Sequence, residues 1–101
     1  MKKSGETGND TMLFVIIGHD GPNGAELRPS VRPRHLEYLR PFVARGAILI
    51  GGPFTDGSGS LLIIEVESEA QAREFAANDP YSREGVFGRV EIKPFRKVVP
   101  E

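Results

Sequence analysis

His35 is the side chain in this sequence best suited to moving a proton near neutral pH. It precedes Leu36 and stands at helical spacing from Leu39 and Phe42, on the flank of an apolar stripe. A ring in that position is half-buried and can still reach a substrate. The plainer alternative is a core-edge histidine hydrogen-bonded to a carbonyl. Asp79 is a partner of the right kind, because a carboxylate accepting one imidazole N–H fixes the tautomer and leaves the other nitrogen open. Within Asn78-Asp79-Pro80 the same side chain is placed to cap a short turn starting at Pro80, and its two oxygens make both uses compatible.

Arg28, with Arg32 and Arg34 close by, offers a guanidinium to the carboxylate of a small anionic ligand, or simply solvates a surface. His19 and Asp20 follow an apolar run and suit the lip of a pocket, a weaker constellation than His35. Gly51-Gly52-Pro53-Phe54 lets a ligand approach the backbone with Phe54 as a wall, or else breaks a strand before a hairpin. No phosphate loop and no dinucleotide fingerprint is present, so no nucleotide cofactor is expected. Two histidines far apart, without cysteine, make a metal site an unfavoured expectation too.

The elements that must position these residues follow from periodicity. Met12 to Ile17 is a continuous apolar run, apt for a strand buried on both faces, and Gly18 to Gly24 has the chemistry of a loop. Ser30 is expected to cap a helix that absorbs Pro33 in its first turn and runs to about Arg45. Leu36, Leu39, Phe42 and Val43 would face the sheet, and Pro41 would kink or break the helix. Ala47 to Ile50 forms a second strand ended by Gly51-Gly52-Pro53. Thr55 to Gly59 is a hairpin turn, and Ser60 to Val66 is a third strand. Ser68 with Gln71 reads as a capping box for a second helix, stopped at Asn78-Asp79-Pro80. Gly88 to Phe95 alternates as a strand with one exposed face.

The resulting order is βαββαβ, the ferredoxin-like α+β arrangement: a four-stranded antiparallel sheet with two helices on one face. The first and third strands are apolar at successive residues, which leaves the other face of the sheet apolar as well. Such a patch marks association, and a second copy packed sheet against sheet is the simplest cover.

Composition narrows the partners. The 101 residues carry 13 basic and 14 acidic side chains, a net charge of -1, and no long run of one sign. Nucleic acid and membrane surfaces are therefore not expected partners. The absence of cysteine removes disulfides and thiolate chemistry and fits a reducing cytoplasm. Residues 1–11 are polar and read as a disordered lead or a cloning remnant, so one domain is expected over residues 12–99.

Arg28 to Leu39, Gly51-Gly52-Pro53, Asn78-Asp79-Pro80-Tyr81 and Val90 to Phe95 together resemble the YciI-like family, over Met12 to Val99. The resemblance implies a dimeric α+β barrel of ferredoxin-like protomers, with a pocket where His35 and Asp79 form a catalytic pair and Tyr81 meets substrate. It also implies kinship with a dehydrochlorinase of chlorinated hydroxyquinols. The expected function is a small cofactor-free lyase or isomerase acting on a small organic, aromatic or anionic substrate, with Arg28 holding an anionic group. The alternative is a non-catalytic binding or interaction module of the same barrel. A cofactor-free oxygenase of the related barrels is a third expectation.

Overall fold

The computed structural model describes residues 11–101. Apart from Thr11, the expected lead over residues 1–11 lies outside the described residues. The elements run β1 (Met12–Asp20), α1 (Gly24–Ala44), β2 (Ile48–Pro53), β3 (Gly59–Val66), α2 (Glu69–Asn78), α3 (Pro80–Arg83) and β4 (Phe87–Phe95). The sheet order is β2-β3-β1-β4, and every neighbouring pair is antiparallel. This is the ferredoxin-like βαββαβ topology.

Strand alternation divides β1 and β3 between two environments. Phe14, Ile16, Leu62 and Ile64 point toward the helices and form the main core with Leu39, Ala72, Phe75 and Ala76. Leu13, Val15, Ile17, Leu61 and Ile63 point the other way and are only half-buried, so the expected burial of both faces is incomplete within one chain. A smaller cluster of Val31, Tyr81 and Val86, flanked by Leu27 and Phe87, supports the opposite end of α1.

Three boundaries differ from the sequence-based expectation. Helix α1 starts at Gly24, not near Ser30, and the Ser30 hydroxyl donates to the Leu27 carbonyl inside the helix. The helix continues through Pro29, Pro33 and Pro41 to Ala44, without the break expected at Pro41. All three prolines are exposed and share one stripe at four-residue steps with exposed Glu37, so the carbonyls they leave without partners face water. The buried stripe of α1 is Gly24, Val31, His35 and Leu39, while Leu36 and Val43 are exposed at 42% and 57%. Finally, β1 runs on to Asp20 and β2 to Pro53, with a register shift between Ile48 and Ile50.

Candidate functional site

The break between α2 and α3 positions Asp79. Pro80 disfavours helical backbone at the residue before it, and Asp79 adopts extended angles of φ -63 and ψ 130. Its carboxylate then caps α3, with Oδ1 accepting from the Tyr81 backbone N–H at 2.9 Å. On the other side Oδ1 lies 2.8 Å from His35 Nδ1 on α1. Asp79 is only 2% exposed, and a carboxylate that deep requires such partners.

A carboxylate only accepts, so His35 Nδ1 carries the proton of this bond and the neutral ring presents a lone pair at Nε2. Nε2 has no hydrogen-bond partner among the described residues and is not sealed in, since no buried side-chain nitrogen or oxygen lacks a partner there. His35 lines a cavity of about 640 Å³ between α1 and the helical side of the sheet. Tyr81 stacks on the imidazole, with ring centroids 3.8 Å apart and planes 2° from parallel. Phe87 meets Tyr81 edge-on at 5.4 Å. A Cβ at Gly18 would come within 2.5 Å of the Phe87 ring, so the bare backbone of β1 leaves room for that wall.

The remaining candidates divide between the two faces of the sheet. Arg28 lines the cavity, but its Nε and Nη2 donate to both oxygens of Asp20 at 2.8 Å, and Nη2 also donates to Ser60 Oγ at 2.9 Å. The Asp20 bonds hold the guanidinium above its already high value, so it stays charged while its charge is balanced locally. Asp20 thus braces Arg28 and is not itself a cavity wall. His19, the next residue back on β1, points to the opposite face, where Nε2 lies 2.5 Å from Glu91 Oε2. Gly52 and Pro53 line the cavity. Phe54 does not; it belongs to the β2–β3 turn, its N–H donating to the Gly59 carbonyl.

Ser60 and Phe87 also line the cavity and were not singled out from sequence, and Arg32, named there only beside Arg28, lines it as well. Arg28, Arg32, His35 and Leu39 recur every three to four residues, a signal available once α1 is started before Arg28. Burial raises the Tyr81 phenol above its ordinary value, against the lowering influence of Arg28 and Arg32. Among the described residues no cluster of His, Cys, Asp or Glu could hold a metal ion, and no helix is long and apolar enough to cross a membrane.

The ferredoxin-like βαββαβ sheet is the fold of solved dimeric α+β barrel proteins. The family model of the YCII-related domain matches residues 12–96, and the chain belongs to that family. Protein YciI of Escherichia coli is 38% identical over 97 residues, covering 86% of this chain and 99% of that protein. An uncharacterised protein of Haemophilus influenzae is 37% identical over 100 residues, with the same coverage of 86% and 99%. Among solved structures the chain is similar to 5-chloro-2-hydroxyhydroquinone dehydrochlorinase (TftG) of Burkholderia phenoliruptrix, in complex with 2,5-dihydroxybenzoquinone. That match has a TM-score of 0.78 and 32% identity, and covers 86% of this chain and 96% of that one.

Proposed function

We propose that this protein is a small-molecule lyase or isomerase in which His35 Nε2 takes a proton from a small, flat organic substrate. The observation that carries the reading is the 2.8 Å contact between His35 Nδ1 and buried Asp79 on a histidine that lines the cavity and whose Nε2 bonds to no protein group among the described residues. Asp79 fixes the tautomer and stabilises the imidazolium that forms. In an elimination of HX, the proton moves to Nε2, the electron pair of its bond becomes the new π bond, and X leaves with its own pair. In an isomerisation the imidazolium returns the proton to a different atom. The apolar walls of Leu36, Leu39, Ile48 and Phe87 suit an aromatic or unsaturated ring, and similarity to a dehydrochlorinase supports elimination in particular.

The working unit of this proposal is a homodimer. Val15, Ile17, Leu61, Ile63 and Ile50 give the face away from the helices a continuous apolar stripe, and Ile50 is 61% exposed. A second copy related by a two-fold axis would cover that stripe with its own.

The test is chloride release from 5-chloro-2-hydroxyhydroquinone by the wild-type protein and by His35→Gln. The expected result is turnover by the wild type that falls on the order of 100-fold or more in the variant, the usual scale for losing a positioned acid-base group. Equal turnover by the two proteins would remove His35 from the chemistry.

A further inference from the structure

The fixed charges lining the cavity are those of Arg28, Arg32 and Asp79. Arg28 is balanced by its two bonds to Asp20. Asp79 becomes balanced when His35 takes a proton. Arg32 alone pairs with no carboxylate among the described residues, whereas Arg34, next but one along α1, is tied to Glu84. After proton removal the cavity therefore keeps one uncompensated positive charge, at Arg32, while the substrate has become more negative.

The helix sets the distance between that charge and the base. Arg32 precedes His35 by three residues on the same face of α1, about 4.5 Å along the axis. Tyr81 stacks on His35, and all three residues line the same cavity. Arg32 and His35 thus line one cavity within a single turn of α1. Guanidinium, with its planar fork of donors, favours an anionic oxygen.

We infer that Arg32 is the specificity-determining cation of this cavity, holding an anionic oxygen, carboxylate or phenolate-type, of the substrate whose proton His35 takes. This rests on the proposed function for the role of His35, but its binding consequence does not depend on turnover. The anion-holding role expected for Arg28 passes to Arg32, and Arg28 becomes a brace that keeps Tyr81 and β1 in place.

Calorimetric titration of the full chain with 2,5-dihydroxybenzoate, 2,5-dihydroxybenzoquinone and neutral hydroquinone tests it. The wild-type protein should bind at least one acidic probe about tenfold more tightly than hydroquinone, a difference of about 1.4 kcal/mol. Arg32→Gln should erase that preference with hydroquinone affinity unchanged, Arg32→Lys should keep part of it, and added salt should shrink it. A preference confined to the benzoate assigns a carboxylate, and one confined to the quinone assigns a ring oxygen. His35→Gln should retain the preference even where turnover is lost, which separates this inference from the catalytic one. No preference in the wild-type protein, or a preference that survives in Arg32→Gln, overturns it.

Discussion

The rings of His35 and Tyr81 lie face to face, 3.8 Å apart and 2° from parallel. Tyr81 also donates its backbone N–H to the carboxylate oxygen that meets His35 Nδ1. One residue thus holds the imidazole twice, through its ring and through the aspartate it orients. The plane in which Nε2 points is set by α3 as much as by α1.

Stacking needs the ring and not the hydroxyl. Tyr81→Phe should leave kcat within about threefold, whereas Tyr81→Leu, which keeps the backbone bond and loses the aromatic face, should cost about 1 kcal/mol of stability beyond lost area. Comparing the two by chloride release and thermal unfolding checks this.

The same tyrosine shapes the alkaline limit of stability. Burial raises its phenol above 10.0, so the unfolded chain ionises it at a pH where the folded chain does not. The folded state keeps its full advantage below about pH 10 and loses it as pH rises through the higher folded value. Urea unfolding across that range should show a shallower alkaline decline for Tyr81→Phe. Part of the decline should remain, because Tyr38 is raised by burial as well.

Asp79 serves as cap and as partner, and two substitutions separate these uses. Asp79→Asn keeps an oxygen for the Tyr81 N–H and removes the charge, so kcat should fall on the order of 100-fold with little change in melting temperature. Asp79→Ala should add a loss of about 1 kcal/mol from the missing cap.

The open face of the sheet gives a prediction about assembly. Ile63 sits on inner strand β3, paired with Val15 and Ile50, and points away from the helices. Ile63→Lys should leave the helical core intact and shift the protein from dimer to monomer in light scattering. A dimer of unchanged stability would place the interface elsewhere.

Much of the fold was legible because β1, β3 and β4 have clear strand patterns and Ser68 caps α2 as expected, accepting from the Gln71 N–H. The start of α1 was not. Asn23 makes no side-chain cap bond, and Pro29 and Pro33 resemble a helix beginning when they are in fact exposed interior positions. That error left Arg28 in a loop and hid its alignment with Arg32 and His35. Ending β1 at Ile17, with the loop starting at Gly18, likewise hid the alternation that sends His19 to the open face and Asp20 toward Arg28. The contact between His35 and Asp79 spans 44 positions and depends on α1 crossing α3, which no local pattern reports.

The proposed chemistry requires that His35 present an unprotonated Nε2 while Nδ1–H is held by Asp79. Long-range proton–nitrogen NMR on uniformly ¹⁵N-labelled protein, at a pH where the ring is neutral, reads the tautomer directly. His35 should show a protonated Nδ1 and a bare Nε2, with an Nδ1–H resonance that changes in Asp79→Asn. A proton on Nε2 with Nδ1 bare, or a spectrum indifferent to Asp79, would contradict it.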